Sequence, residues 1–188
     1  MSSLLDIYVK YMNHASWGDK GTVHSYIEVY EAILAPWRTT AKRVLEIGIL
    51  NGSSLRMWEE YFDKSEVHGI DANDQPLAMA DLRPMIAEGT HHISLLDASN
   101  QAQVEARFAG MMFDVIIEDA SHELHQQMEI YKCFKSHVAP GGIYIIEDVE
   151  NIDKDRAVFE NIDSTKTVQI IDRRGVKGRF DDVLVIIT

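Results

Sequence analysis

Short apolar runs alternate along this chain with segments in which apolar residues recur at helical spacing. The runs predict strands near 43–48, 66–71, 91–96, 113–118, 142–147, 166–172 and 182–187. Helical spacing marks 4–12, 23–35, 53–63, 76–87, 100–109, 122–137 and 153–161. Strand followed by helix, repeated in this way, is typical of a parallel sheet with helices on both faces. The pattern therefore predicts a three-layer α/β fold on seven strands.

The end of the chain departs from this alternation. The connection Arg173–Arg179 between the last two predicted strands is too short for a crossover helix, so we expect those strands to pair antiparallel. No linker or repeat divides the 188 residues, which match one domain. We expect a single domain over 1–188, with a helical cap over the active site at 1–36 and a Rossmann-like core at 40–188.

Composition excludes several classes of protein. With 18 basic and 30 acidic residues the net charge is −12, and nucleic-acid binding depends on positive surface, so we expect none. Cys133 is the only cysteine, which excludes an intramolecular disulfide and a cysteine-based zinc site. The start lacks a basic leader region, and no apolar run approaches a membrane span. We expect a cytoplasmic protein without membrane contact, in the host cytoplasm if the gene is viral.

Paired carboxylates end two of the apolar runs. Glu118 and Asp119 follow one, and Glu147 and Asp148 follow another. Ligands of such sheets bind beyond the carboxyl ends of the strands, so we expect these acids at one rim, with His122 one turn into the next helix. Crowded carboxylates repel unless a cation or proton lies between them. The pattern therefore predicts a hard divalent metal beside a histidine base.

The first strand-to-helix turn carries glycines that suit a close ligand. Glu46 is near the strand end, Gly48 allows a tight turn, and Gly52 precedes Ser53, which we expect to cap the helix. The three-glycine dinucleotide motif is absent, because Leu50 stands where its second glycine would admit a pyrophosphate. The turn therefore favours a ligand without a diphosphate.

Acids at the ends of the next two strands extend this site. Asp71 ends the second strand, where doubly wound folds place an acid for ribose hydroxyls. Asp97, followed by Ala98, ends the third strand near the expected position of an adenine edge. A nucleoside without a diphosphate fits these features, and S-adenosylmethionine is the leading candidate. The residues of the sheet edge that we expect to bind it are Glu46, Gly48, Gly52, Ser53, Asp71, Asp97, Ala98 and Glu118.

Each of these residues also has a purely structural interpretation. The glycines can form an ordinary tight loop. The acids can cap helices or lie in solvated loops, and Glu118 can simply support its neighbours. His24 and Tyr26 can be packing residues, and we expect His125 to be solvated. The joint pattern favours the functional interpretation, because independent accidents would not all fall at strand ends.

The motifs resemble those of metal-dependent sugar O-methyltransferases from natural-product pathways, such as the macrocin and mycinamicin O-methyltransferases, and of the related cephalosporin hydroxylases. The matching stretches cover about 19–150 and are Asp19–Tyr26, Val44–Gly48 with Gly52, Ser54–Trp58, Gly69–Asp71, Asp97–Asn100, Asp114–His122 and Pro140–Asp148. The resemblance implies a class I S-adenosylmethionine methyltransferase fold, with a mostly parallel seven-stranded sheet and an antiparallel last strand.

The resemblance also implies roles for individual residues. Mg²⁺, or Mn²⁺ in its place, would be bound by Asp119, Glu147 and Asp148, and His122 would be the general base. The stretch Asp19–Tyr26, the N-terminal motif, would close over the cofactor or acceptor. The residues that would do so are Lys20, Thr22, His24 and Tyr26. One departure is Ala120, which stands where family members usually carry glycine.

These inferences predict Mg²⁺-dependent methylation of one hydroxyl of a vicinal diol, most simply on a sugar or glycoside. A catechol O-methyltransferase would use a similar metal with a flat aromatic diol. A non-catalytic protein that binds S-adenosylmethionine is the alternative outside the enzymes, and the retained His122 and acids argue against it. A hydroxylase is disfavoured, since no 2-His-1-carboxylate triad stands at obvious spacing. The sequence leaves a homo-oligomer open.

Overall fold

The structure is a computed structural model and describes residues 1–11, 18–50, 52–73 and 92–188. The strands are β1 (Arg43–Ile47), β2 (Glu66–Asp71), β3 (His92–Leu95), β4 (Phe113–Glu118), β5 (Val138–Ile146), β6 (Val168–Asp172) and β7 (Val183–Ile187). The helices are α1 (Leu4–Tyr11), α2 (Ile27–Leu34), α3 (Ser53–Tyr61), α4 (Gln101–Phe108), α5 (Leu124–Phe134), α6 (Ile152–Glu160) and α7 (Arg174–Lys177). The helix predicted at 76–87 lies outside the described residues, as do residue 12 of the first predicted helix and residue 91 of the third predicted strand.

All seven strands form one sheet in the order β3-β2-β1-β4-β5-β7-β6. The pairs from β3 to β5 are parallel, whereas β7 is antiparallel to both of its neighbours. This confirms the predicted sheet and its antiparallel last strand. The strand order reverses between β1 and β4, which is where ligands of doubly wound sheets bind.

Alternating side chains of the strands build two cores, one on each face. Val44 and Val115 face a cluster that contains α1, α2 and α3, while Leu45 and Ile116 face a cluster with α4, α5 and α6. Both faces are therefore apolar and covered, which explains why the strands read as continuous apolar runs. Among the helices of the described ranges, none combines the length and apolar character needed to cross a membrane.

Several element boundaries differ from those predicted. Helix α2 begins only at Ile27, because residues 22–24 form turns whose N–H groups donate to the carbonyl of Asp19. Helix α5 begins at Leu124, so His122 lies in the loop before the helix and not inside it. The one-turn helix α7 lies in the short connection to β7 and was not predicted.

Candidate active site

A cavity of about 320 Å³ opens at the carboxyl ends of the strands, beside the reversal between β1 and β4. Four of the predicted cofactor residues line it: Gly48, Asp71, Asp97 and Ala98. The side-chain oxygen of Ser121 is buried at this wall and has no hydrogen-bond partner among the described residues. A buried polar atom without a partner is costly, so the wall is suited to a polar ligand.

Gly48 brings the first turn close to the loop that follows β4. Its φ is +85°, and a Cβ built at this position would overlap the backbone carbonyl of Asp119. Glycine is therefore required here for both its conformation and its size. Gly52, with a φ of 73°, is the N-cap of α3, so the prediction that Ser53 caps this helix is wrong, and Ser53 is its first helical residue.

The two acids of the cavity also hold their own loops. Asp71 accepts the backbone N–H of Ile49 at 3.1 Å and that of Asn73 at 2.9 Å. Asp97 accepts the N–H and hydroxyl of Ser99 at 2.9 and 2.7 Å. The N-cap of α4 is Asn100, so Asp97 is not the cap of this helix. Both carboxylates are thus held in place at the edge of the cavity.

Two other predicted cofactor residues are buried carboxyls. Glu46 is fully buried; one oxygen accepts the hydroxyl of Ser54 at 2.7 Å, and the other lies 3.5 Å from the Lys20 ammonium. Glu118 accepts the N–H of Ala120 at 3.2 Å. Burial raises the pKa of Glu118 to about 8, so this carboxyl is largely protonated at neutral pH.

Three potential ligand atoms converge beside the cavity. Atoms of Asp119, His122 and Asp148 lie within 4.8 Å of one another. Nε2 of His122 is 3.4 Å from Oδ1 of Asp119 and 3.6 Å from Oδ2 of Asp148. Mg²⁺ typically binds proteins through one or two carboxylates and completes its shell with waters or substrate oxygens. The two carboxylates fit such an ion, with the imidazole next to them.

Glu147, the third predicted ligand, is held elsewhere. Its Oε1 accepts the Tyr30 hydroxyl at 2.5 Å and the Lys20 ammonium at 2.7 Å. Burial raises the pKa of Glu147 well above its usual range, and Asp119 and Asp148 add to this, while Lys20 opposes it. In the structure Asp119 and Asp148 therefore lie together with His122, whereas Glu147 pairs with Lys20.

The electrostatics of the cluster depend on its cations. Burial favours the protonated form of Asp119, but Lys20 and His122 outweigh it and lower the pKa of this carboxyl. The hydrogen bond to Asp119 and the charge of Asp148 raise the pKa of His122 to about 9 although burial opposes the charged form. Burial, with the charge of Asp119, raises the pKa of Asp148 to about 6.

The N-terminal motif contacts Asp119 and Asp148 through the carboxylate oxygens that do not face His122. The Tyr26 hydroxyl donates to Oδ1 of Asp148 at 2.6 Å, and Nδ1 of His24 lies 3.2 Å from the same oxygen. Lys20 reaches Oδ2 of Asp119 at 2.7 Å. The carbonyl of Thr22 accepts the Lys177 ammonium at 3.1 Å. In the described structure Lys20, His24 and Tyr26 therefore contact the acids, whereas Thr22 contacts Lys177.

A second cavity of about 260 Å³ adjoins the first. Gly48, Leu50, Asp119 and Ala120 line both cavities, whereas Lys20 and His122 line only the second. Asp119 thus borders two neighbouring spaces, and the imidazole of His122 borders the second. This arrangement can hold a donor in one space and an acceptor in the other.

The contacts that position the N-terminal motif were not predicted from the sequence. Lys177 donates to the carbonyls of Gly21 and His24, both at 2.6 Å. Asp182, which is fully buried, accepts the Ser25 hydroxyl at 2.6 Å. These partners are about 150 residues apart along the chain, so no local pattern reveals them. The acidic pair that precedes β7 was the one available signal.

A family model described as a methyltransferase domain matches residues 45–149. The chain belongs to this methyltransferase domain family. The solved structure of the MycE methyltransferase from the mycinamycin biosynthetic pathway, in complex with Mg, SAH and mycinamycin VI, aligns with a TM-score of 0.72 and 18% identity. The alignment covers 99% of this chain and 54% of that chain. The predicted class I methyltransferase fold is thereby confirmed.

Curated relatives confirm the resemblance to sugar O-methyltransferases. The 8-demethyl-8-alpha-L-rhamnosyl tetracenomycin-C 2'-O-methyltransferase of Streptomyces olivaceus is 31% identical over 147 residues, which are 74% of this chain and 36% of that protein. The mycinamicin VI 2''-O-methyltransferase of Micromonospora griseorubida is 30% identical over 136 residues, 69% of this chain and 32% of that protein. The chain spans about a third of the length of these relatives.

Proposed function

We propose that this chain transfers the methyl group of S-adenosylmethionine to one hydroxyl of a vicinal diol on a sugar or glycoside, with Mg²⁺ as cofactor. The observation that carries this proposal is the convergence of Asp119, His122 and Asp148, in which Asp119 lines both adjoining cavities and His122 lines the second. The relatives named above, a rhamnosyl tetracenomycin-C 2'-O-methyltransferase and a mycinamicin VI 2''-O-methyltransferase, support the same reaction.

The residues of the first cavity would bind the cofactor, which supplies an electrophilic methyl group when bound. Asp71 would accept hydrogen bonds from ribose hydroxyls, and Asp97 with Ala98 would border the adenine. Gly48 lines this cavity and lets the first turn approach the Asp119 backbone, where a side chain would overlap the carbonyl. The unpartnered Ser121 hydroxyl and the neighbouring Gln126 amide offer further polar contacts, and neither was predicted from the sequence.

Asp119 and Asp148 would hold the metal. Glu147 would lie next to them, linked to Asp119 through Lys20. When bound, Mg²⁺ supplies Lewis acidity to the acceptor hydroxyl and lowers its pKa. His122 would take the hydroxyl proton at Nε2, and the acceptor oxygen would then bond to the methyl carbon as its bond to sulfur breaks, which releases S-adenosylhomocysteine. General-base assistance of this kind contributes roughly 10²–10⁴ in rate. An acceptor bound in the second cavity would lie beside this imidazole, and its orientation would supply much of the remaining rate.

An acceptor screen tests the proposal. The protein would be incubated with S-adenosylmethionine and Mg²⁺ and offered free sugars, glycosides and catechols in parallel, with methylated products detected by mass spectrometry. We expect methylation of a sugar or glycoside that carries a vicinal diol. Methylation of catechols alone would favour the aromatic alternative. Binding of S-adenosylmethionine without transfer to any acceptor would favour a non-catalytic protein.

A further inference from the structure

Lys20 is buried at the centre of the acid cluster. Its side chain is 3% exposed, and its ammonium lies 2.7 Å from Oδ2 of Asp119, 2.7 Å from Oε1 of Glu147 and 3.5 Å from Oε1 of Glu46. An ammonium has three N–H donors and no acceptor, which matches three surrounding carboxylates. Burying such a charge is costly unless it is paired, so the pairing is what keeps Lys20 inside.

The two predicted ligand carboxylates each divide their oxygens between two sides. Asp119 gives Oδ2 to Lys20 and turns Oδ1 toward His122. Asp148 gives Oδ1 to Tyr26 and turns Oδ2 toward His122. Lys20 and Tyr26 both belong to the N-terminal motif. The motif therefore binds one oxygen of each carboxylate, Oδ2 of Asp119 and Oδ1 of Asp148. The other oxygen of each carboxylate lies toward the His122 imidazole.

The charge of Lys20 acts in opposite ways on the empty and the filled site. Without a metal, Glu46, Asp119 and Glu147 repel one another, and the ammonium offsets this repulsion. A divalent ion on Asp119 would instead share its carboxylate with a second cation, and like charges at such close range repel. A lysine in this position stabilises the empty site and weakens the affinity for the ion.

We propose that Lys20 is a resident counter-ion of the acid cluster, a positioning residue that holds Asp119 and Glu147 in the metal-free protein and limits the affinity for Mg²⁺. The proposal rests on the proposed function in one respect, namely that a divalent ion binds at Asp119. It differs from a purely structural role, in which loss of Lys20 would disorder the ligands and weaken metal binding.

The test compares Mg²⁺ binding by calorimetry and thermal unfolding for the wild type and Lys20→Met, which keeps a side chain of similar length without the charge. We expect Lys20→Met to unfold at a lower temperature without metal, to gain more from added Mg²⁺, and to bind Mg²⁺ on the order of tenfold more tightly. The control is Lys10→Met, which removes an exposed lysine that lies 2.6 Å from Glu60, and we expect it to leave Mg²⁺ affinity unchanged.

A second variant separates charge from packing. Lys20→Met combined with Glu147→Gln removes one buried carboxylate together with the ammonium, and we expect it to recover part of the unfolding temperature lost in the single variant. If Lys20→Met does not fold without metal, a Mg²⁺ titration followed by circular dichroism replaces the comparison. Recovery of the folded signal with added Mg²⁺ would support the proposal, and its absence would overturn it.

The outcomes distinguish this inference from the proposed function. If the wild type binds Mg²⁺ and Lys20→Met binds it equally or less tightly, the counter-ion role is wrong and the proposed function stands. If neither protein binds Mg²⁺, the metal site and the counter-ion role both fail. Tight binding by Lys20→Met with weak binding by the wild type is the result that the counter-ion role requires.

Discussion

Nε2 of His122 lies 3.4 Å from Oδ1 of Asp119. This contact, with the charge of Asp148, raises the pKa of the imidazole to about 9 against the effect of its partial burial, so His122 holds its proton at neutral pH in the metal-free protein. A protonated imidazole is not a base. A divalent ion bound by the two carboxylates would neutralise them and remove that support, so the basicity of His122 would depend on an occupied metal site.

Replacement of the proposed base separates chemistry from binding. We expect His122→Ala to lower kcat by roughly 10²–10⁴ because the acceptor proton loses its base. Binding of S-adenosylmethionine should persist, since His122 is not among the residues of the first cavity. The matched control is His125→Ala, an exposed histidine 3.5 Å from Glu123, which should keep full turnover. Wild-type turnover in His122→Ala would exclude this histidine as the base.

The cofactor assignment predicts a loss of affinity at Asp71. Asp71→Ala should weaken S-adenosylhomocysteine binding by about 1.5–3 kcal/mol, the range for losing charge-assisted hydrogen bonds. The same change frees the N–H groups of Ile49 and Asn73, so Asp71→Asn, which keeps an acceptor oxygen, serves as the conservative variant. Calorimetry measures both, with the exposed Asp63→Ala as control. An unchanged affinity in Asp71→Ala would contradict the assignment.

Substitution of two glycines of similar conformation tests how much the close approach of the first turn to Asp119 contributes to stability. Gly48 and Gly110 have φ of +85° and +72°, but only Gly48 has backbone where a Cβ would stand. Gly110→Ala should cost about 1–2 kcal/mol of stability, the penalty for a left-handed alanine. Gly48→Ala should cost clearly more and displace Asp119. Chemical denaturation measures both, and equal losses would show that the Gly48 contact has no energetic weight.

Glu118 predicts a pH-dependent contribution to stability. Burial raises its pKa from 4.5 to about 8 in the folded protein. The folded state therefore holds this proton more tightly than the unfolded state, and stability is lost as the pH rises from 4.5 through 8. We expect Glu118→Gln to gain stability relative to the wild type over this range, by roughly 4–5 kcal/mol at pH 8 and above. Thermal unfolding at several pH values measures this. The exposed Glu150→Gln should show no such trend, and a flat difference for Glu118→Gln would contradict the raised pKa.

The fold was predictable because its physical cause is local in the sequence. Strands such as β4 and β5 are buried on both faces, so each appears as an apolar run, and the acids that follow them mark the sheet edge. Boundaries were less predictable. The loop that holds His122 continues to Glu123, and Glu123 makes no side-chain cap that would announce the start of α5.

The contacts around Lys20 could not be predicted in the same way. Its partners Asp119 and Glu147 are 99 and 127 residues away in sequence, and the polar segment around Lys20 has no periodicity. Tyr30 looked like one more apolar position of a helix, yet its hydroxyl binds Glu147. Sequence motifs therefore identified the acids, but the tertiary structure decides which cation or hydroxyl each acid faces.

Metal dependence of methyl transfer tests the central claim most directly. With an accepted sugar or glycoside and saturating S-adenosylmethionine, initial rates would be measured in Mg²⁺, in excess EDTA, and after Mg²⁺ or Mn²⁺ is restored. We expect product in Mg²⁺, none in EDTA, and recovery with either ion, because Asp119 and Asp148 would hold the ion that acidifies the acceptor. Full turnover in excess chelator would contradict it.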